Sequence, residues 1–190
     1  MYSSLSNKTK PNVSKLLIMS GIVLSCISSC KDQGDALPTL PQEIISSDAQ
    51  LFSVVTQVQP FASYSLFPDV DSVTSGTLNG SNAHRPLVRV SMNTTALGAL
   101  RADTLPAGTS FPDGSIIFKQ IMSGGQTSLY AIIYKDKNNP LAGNGWLWAE
   151  FLPDGAPFIS LTRKGANCTG CHSLEQGPRH DFVRTFERQR

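Results

Sequence analysis

Cysteine and histidine are scarce in this sequence: its 190 residues include four cysteines and three histidines. Cys26 and Cys30 lie in the N-terminal segment, so the rest of the chain holds a single cysteine pair, Cys168 and Cys171. One pair cannot build the disulfide framework of a small secreted protein. A structural zinc site needs four ligands, and there is no second cysteine pair to complete one.

Net charge is also low. The sequence has 16 Lys and Arg against 14 Asp and Glu, a formal charge of +2. Lys8, Lys10 and Lys15 stand in the first 30 residues, which contain no acid; without these three, 13 basic and 14 acidic residues remain, a charge of −1. A nucleic-acid-binding domain carries a basic patch or stripe, so this balance implies no nucleic-acid partner.

The N-terminal apolar segment is too short for a membrane-spanning helix. It covers residues 16–24, is interrupted by Ser20 and follows the three lysines. A span of the bilayer needs about 20 predominantly apolar residues. A basic segment followed by a short apolar one and by small residues is typical of an export signal. We therefore predict a signal peptide over residues 1–30 and an exported bacterial protein.

The cysteines at the end of this segment indicate a lipoprotein. The four residues that end at Cys26 and the four that end at Cys30 both resemble the lipobox of bacterial lipoproteins. Cys30 is favoured because the polar residues Lys31 and Asp32 follow it directly. Acyl chains there would anchor the protein to a membrane by burying CH₂ groups. The prediction is a periplasmic or outer-membrane lipoprotein, and the alternative is an ordinary cleaved signal with incidental cysteines.

The remaining cysteine pair belongs to Cys168-Thr169-Gly170-Cys171-His172, the CxxCH pattern of c-type haem attachment. Two thiols on one helical turn can form thioethers with a haem, and the adjacent imidazole can bind its iron. Half of a zinc site or a redox dithiol is the alternative, but a redox CxxC belongs to a βαβ pattern, which is missing here. The sequence therefore predicts one covalent haem c per chain, with His172 as iron ligand. Attachment of c-type haem takes place outside the bacterial cytoplasm, in agreement with the predicted export.

The part of the chain that follows the signal predicts a linker and one domain. Residues 31–45 contain Pro38 and Pro41 and few large apolar groups, as expected of a spacer. Residues 46–190 are numerous enough to bury a core of their own. This range is the predicted haem domain.

Alternating and apolar segments predict a mainly antiparallel sheet. A capping box at Ser47 predicts a helix that ends before Pro60, Asn93 is expected to cap a second short helix, and residues 61–85 are expected to form a loop. Strands are predicted at 86–92, 115–121, 128–134 and 145–151, with a last short apolar stretch at 157–161. Consecutive strands joined by turns favour the α+β class, with a few short helices and a C-terminal haem-attachment segment.

The order of these segments resembles the cytochrome P460 family, which includes the c′-beta cytochromes. The resemblance covers about residues 50–190 and rests on His84, residues 88–93, Phe111-Pro112-Asp113-Gly114, Tyr134-Lys135-Asp136, residues 145–151, the CxxCH pattern and Asp181-Phe182-Val183. It implies a β-sheet domain, often a homodimer, with one five-coordinate haem whose proximal ligand is His172. It also implies a choice of activity: P460 members bond a lysine to the porphyrin and oxidise hydroxylamine or convert nitric oxide, whereas c′-beta members lack this bond and bind diatomic gases.

Four further residues are candidates for the site. Lys119 is the one mid-sheet lysine and the candidate for the bond to haem, although lysines usually lie at the surface and a solvent-facing side chain is the favoured expectation. Glu150 is a carboxylate near the haem motif in sequence and could accept a proton from a substrate. Arg179 and Arg184 are predicted to bind the haem propionates, and a solvated tail is the alternative.

The pattern singles out no sixth iron ligand. Met92 and Met122 stand at strand ends, where methionine usually fills the core, and His84 and His180 stand in polar loops. We therefore predict an exported mono-haem cytochrome whose open distal site binds small nitrogen oxides or exchanges electrons with a redox protein. The alternative is an enzyme that oxidises hydroxylamine or converts nitric oxide and carries a lysine–haem bond.

Overall fold

The computed structural model describes residues 44–175 and 180–189. These residues belong to one compact unit, Gln42–Arg190. The predicted signal segment 1–30 with Cys26 and Cys30, most of the linker 31–45, and Arg179 lie outside the described residues. Within the described part, no helix has the length and hydropathy needed to cross a bilayer.

The first helix begins where the capping box predicts it. Helix α1 spans Asp48–Ser53, and the side chain of its N-cap residue Ser47 accepts a hydrogen bond from the amide of Gln50. The chain continues as a wider π-helical segment over Val54–Val58. Pro60 follows and cannot donate a backbone hydrogen bond, so the helical segment ends before it, as predicted.

Within residues 44–175 and 180–189, seven strands form a single antiparallel sheet. They are β1 (Ser65–Leu66), β2 (Thr74–Ser75), β3 (Leu87–Met92), β4 (Ile116–Ser123), β5 (Gln126–Lys135), β6 (Trp146–Phe151) and β7 (Pro157–Ile159). The order is β1-β3-β4-β5-β6-β7, and β2 also pairs with β3. Helix α2 (Thr94–Gly98) follows β3 and is capped by Asn93. After β7 the described residues form a 3₁₀ helix (Leu161–Arg163), helix α3 (Thr169–His172) and a 3₁₀ helix (Arg184–Arg188).

The predicted fold class and the long strands are confirmed. The expectation of a loop over residues 61–85 is wrong in part, because this segment contains β1 and β2. Each of these strands has only two residues and pairs with β3. Two residues are too few to produce an alternating pattern, so sequence periodicity could not reveal them.

The alternation along the strands separates the two faces of the sheet. One face carries Leu147, Ala149 and Phe151 and packs against Leu51 of α1 and Val55 of the π-helical segment that follows it. The other face carries Trp146 and Trp148, which pack with Val183 and Phe186 from the C-terminal segment. This second face therefore lies under the segment that contains the CxxCH pattern.

Candidate functional site

A pocket lies between the second face of the sheet and the C-terminal segment. It contains about 1130 Å³ of space free of protein atoms, part of it open to solvent. Every site residue predicted from the sequence that lies within the described part of the chain lines it: Lys119, Glu150, Cys168, Cys171, His172 and Arg184.

The two cysteines stand on one short helical turn. The amide of His172 donates to the carbonyl of Cys168 (3.1 Å), which closes this turn, and all three side chains line the pocket. Both cysteines are free; Cys168 is partly buried and Cys171 is exposed. Burial, and after it the charge of Glu150, raises the pKa of the Cys168 thiol to about 11. The thiol is therefore protonated and neutral at pH 7.

The imidazole of His172 has a fixed orientation. Its Nδ1 lies 2.6 Å from the carbonyl oxygen of Phe182, and because a carbonyl can only accept, Nδ1 must carry the proton. The ring of Trp148 meets the imidazole edge-on, with centroids 4.9 Å apart. Burial, reinforced by the charge of Lys119, lowers the pKa of His172 to about 3. The ring is thus neutral with Nε2 as its free acceptor, which is the form that binds iron.

Three polar side chains form a hydrogen-bonded chain on the sheet wall of the pocket. Lys119 on β4 pairs with Ala131 on β5, and Ala131 pairs with Glu150 on β6. Lys119, Ala131 and Glu150 therefore lie in one row on the same face of the sheet. His84 joins the two charged groups: Lys119 Nζ lies 3.2 Å from its Nδ1, and Glu150 Oε1 lies 3.1 Å from its Nε2. An ammonium donates to Nδ1 and Nε2–H donates to the carboxylate, so this chain fixes one neutral tautomer.

The pKa values in this chain reflect burial. Loss of solvent, followed by the charge of Arg188, lowers the pKa of Lys119 to about 8. Burial, and after it the charge of Lys119, also lowers the pKa of His84, although its bond to Glu150 acts in the opposite direction. The expectation that Lys119 faces solvent is therefore wrong: its side chain is partly buried and lies inside the pocket.

His84 reaches the pocket because its loop lies unusually close to another part of the backbone. A Cβ on Gly76 would fall 1.8 Å from the carbonyl oxygen of His84, so only glycine fits there. The amide of Gly76 also donates to the carbonyl of Pro86 (2.8 Å). In the sequence, His84 is one of the residues that carry the family resemblance and stands in a polar loop, but nothing there shows that Gly76 brings this loop to the pocket.

The Cytochrome P460 family model matches residues 71–185. This range contains the CxxCH pattern, the chain of Lys119, His84 and Glu150, and the residue Arg184. The protein belongs to the cytochrome P460 family. Comparison with curated proteins gave no significant match.

Membership of the cytochrome P460 family implies a haem cofactor, and the charged groups of the pocket fit one. Arg184 is only 7% exposed, and its Nε has no hydrogen-bond partner among the described residues. Its Nη2 donates to Glu187 (3.0 Å). A buried guanidinium with an unused N–H is suited to a haem propionate, which accepts two hydrogen bonds from such a group.

Arg188 is a further pocket residue, which the sequence did not single out. It lines the pocket one turn beyond Arg184 on the same 3₁₀ helix, and its Nη2 donates to the carbonyl of Thr77 (3.3 Å). Burial and the neighbouring Arg184 lower its pKa. The sequence shows that Arg188 stands four residues after Arg184, but it does not show that the side chain of Arg188 is partly buried in the pocket.

The residues considered as a sixth iron ligand take other places. Met92 is fully buried in the core and does not line the pocket. His180 is buried with its ring stacked on Phe186, at a centroid distance of 4.4 Å. His84 lines the pocket, but both of its ring nitrogens already have partners.

Proposed function

We propose that this chain is an exported mono-haem c-type cytochrome whose haem is attached at Cys168 and Cys171, bound by His172 and open on its distal side. The supporting observation is the set of residues that line the pocket. The CxxCH residues lie on one side, and the hydrogen-bonded chain of Lys119, His84 and Glu150 lies on the sheet wall. A bound haem supplies the iron that takes up a small nitrogen oxide or exchanges electrons with a redox protein.

The protein's own residues make the attachment possible. Cys168 and Cys171 would hold the haem as thioethers: each S–H would add across one vinyl group, so that a C–S and a C–H bond form and no oxidant is needed. The carbonyl of Phe182 holds the Nδ1 proton of His172 and leaves Nε2 available. Arg184 and Arg188 supply positive charge for the propionates.

The test is expression in a host that attaches c-type haem, followed by a spectrum and a mass measurement. The expected result is a coloured protein in which haem is joined to the tryptic peptide of residues 165–179. The ferrous form should bind carbon monoxide and nitric oxide. A colourless protein, or pigment that survives replacement of both Cys168 and Cys171 by serine, would overturn the proposal.

The cellular location is part of the same proposal. Lipidation at Cys30 would tether the haem domain to the periplasmic side of a bacterial membrane, within reach of a redox protein. The mature N-terminus should then be a cysteine whose mass includes acyl chains. An unmodified N-terminus beyond residue 30 would remove the anchor.

A second function, oxidation of hydroxylamine or conversion of nitric oxide, is supported by the position of Lys119. Its amine lies in the pocket with a pKa lowered to about 8, so a substantial neutral fraction exists at slightly alkaline pH. A neutral amine can form a C–N bond to the porphyrin edge. That bond replaces an N–H and a ring C–H, and the two electrons and two protons released reduce hydrogen peroxide to water. Glu150 would accept a proton from the substrate.

Peptide mapping distinguishes the two functions. A cross-link blocks tryptic cleavage after Lys119, so residues 102–135 would appear joined through haem to residues 165–179. The protein is treated with hydrogen peroxide before digestion, and Lys119→Met should abolish the joined peptide. Lys137→Met is the matched control, since that lysine is exposed. If haem is found only on residues 165–179, the enzyme with a lysine–haem bond is excluded.

A further inference from the structure

Two segments of the family resemblance, Tyr134-Lys135-Asp136 and Asp181-Phe182-Val183, are in contact in the structure. Lys135 stands at the end of β5 and Asp181 stands 46 residues further along the chain. The ammonium of Lys135 lies 2.9 and 2.8 Å from the two carboxylate oxygens of Asp181. The two side chains are only 6% and 11% exposed. A surface lysine would make a weak pair, but this one is enclosed and bonded to both oxygens.

The other groups around this ion pair also hold Asp181. The indole N–H of Trp146 donates to the carbonyl of Asp181 (2.9 Å), and the amide of Phe111 donates to its carboxylate (3.0 Å). The ammonium of Lys135 lies 4.7 Å from the centre of the Trp146 ring. Asp181 is therefore fixed to the sheet through both its side chain and its backbone.

The backbone that leaves Asp181 has an unusual conformation. Asp181 and Phe182 have φ values of 52° and 68°, in the left-handed region that L-residues with a Cβ adopt only at a cost in free energy. Two consecutive residues of this kind persist only where the surroundings hold them. This left-handed turn directs the Phe182 carbonyl to Nδ1 of His172, at 2.6 Å.

We propose that Lys135 and Asp181 are positioning residues for the proximal ligand: their ion pair holds the left-handed turn that keeps the Phe182 carbonyl on His172. The inference rests on the proposed function, in which His172 binds the haem iron. A hydrogen bond from Nδ1–H to a carbonyl fixes the ring and makes it a stronger ligand. Stronger electron donation from the imidazole of His172 stabilises ferric iron over ferrous iron. The ion pair therefore lowers the reduction potential of the haem.

The deciding experiment uses the haem-loaded double variant Lys135→Met/Asp181→Asn. The double change removes one positive and one negative charge, so any change in potential reports the turn and not the net charge. Asn tolerates left-handed backbone and retains an oxygen for the amide of Phe111, which favours folding. The matched control is Lys137→Met/Asp113→Asn, because that ion pair is exposed and its atoms are 3.7 Å apart.

Two measurements are made on each protein: the iron–histidine stretching band of the ferrous form by resonance Raman, and the midpoint potential by a spectroscopic redox titration. In the Lys135/Asp181 variant we expect the band to move to lower frequency and the potential to become more positive, with the control unchanged. Lys135→Arg keeps the charge and should restore most of the wild-type frequency.

The outcomes separate the two proposals. A double variant that unfolds at lower temperature but has the wild-type band and potential would show that the ion pair is only structural. If the double variant does not fold, Lys135→Arg and Asp181→Asn alone are compared, and identical bands in both would overturn the inference. A wild-type protein that shows no iron–histidine band would instead contradict the proposed role of His172.

Discussion

Lys119 and Glu150 occupy one row of the sheet, two strands apart, and the ring of His84 spans the gap between their charged groups. The residue between them in the row is Ala131, whose side chain is a single methyl group that lines the pocket. Strands lie about 4.8 Å apart, so the two backbones are separated by about 10 Å. The sheet wall therefore combines a polar chain with a small apolar side chain that faces the pocket.

Enlarging the side chain of Ala131 should narrow the pocket at the sheet wall. In Ala131→Leu, three additional carbons would project between Lys119 and Glu150, and we expect the ferrous haem protein to bind carbon monoxide at least about tenfold more weakly, a loss of about 1.4 kcal/mol. Ala131→Ser is the control, because serine adds one atom and should bind nearly as the wild type does. The measurement is an optical titration with carbon monoxide. Equal affinity in the leucine variant would show that the ligand does not enter here.

The lowered pKa of Lys119 predicts a pH dependence of stability. Its pKa is about 8 in the folded protein, against an ordinary lysine value of 10.5 in the unfolded chain. Between these values the unfolded chain binds a proton that the folded protein does not, so the free energy of unfolding should rise as pH increases from 8 to 10.5. The full gain is at most about 3 kcal/mol. Below pH 8 both states are protonated and this gain is absent.

Urea unfolding of the haem-free variant Cys168→Ser/Cys171→Ser measures this effect across the pH range. Adding Lys119→Met should flatten the rise between pH 8 and 10.5 and stabilise the protein at pH 7, since the cost of burying the charge is then removed. Lys137→Met should leave the rise in place, because Lys137 is exposed. A rise that persists unchanged in Lys119→Met would assign it to another group.

The strands could be predicted from the sequence because each long strand carries its own alternation. The position of Lys119 could not, because a lysine in a strand faces solvent or a pocket according to what covers that face. Here the cover is the segment with Val183 and Phe186, more than sixty residues away in the chain. Local patterns contain no information about such a contact.

The candidate haem-binding residues also fall into two groups: those that local sequence predicts and those that only the folded chain brings to the pocket. The CxxCH pattern is local, and its three candidate haem-binding side chains follow from spacing alone. His84 and Arg188 became pocket residues only through contacts made by the folded chain, the first through the close approach of Gly76 and the second through Thr77. The ion pair of Lys135 with Asp181 likewise joins two segments whose sequences give no sign of their pairing.

Replacing Glu150 should test its role as proton acceptor. Glu150→Gln keeps the size of the side chain and removes the base, so we expect hydroxylamine oxidation, if present in the wild type, to slow by about 100-fold. Haem content and the optical spectrum should not change. Asp154→Asn is the control, because Asp154 lies in an exposed turn. Unchanged steady-state turnover in Glu150→Gln would remove this carboxylate from the reaction.

Arg184 should influence the haem through its charge. Its guanidinium is 7% exposed and retains an unpartnered Nε, so in the haem protein it should bind a propionate and favour the ferrous form, which carries one positive charge less at the iron. Arg184→Met should therefore lower the midpoint potential, by up to about 60 mV, a tenfold change for a one-electron couple. Glu187 keeps a hydrogen bond from Asn79 (2.7 Å) in that variant.

The control for this change is Arg89→Met, which removes the same charge from an exposed position on β3. Salt screens charges that are exposed and distant, so the potential of the control should stay close to the wild-type value and the difference between the variants should persist at high ionic strength. Arg184→Lys retains the charge without the planar pair of N–H groups and should give an intermediate potential. If Arg184→Met and Arg89→Met have the same potential, the propionates bind elsewhere, and Arg188 becomes the next residue to replace.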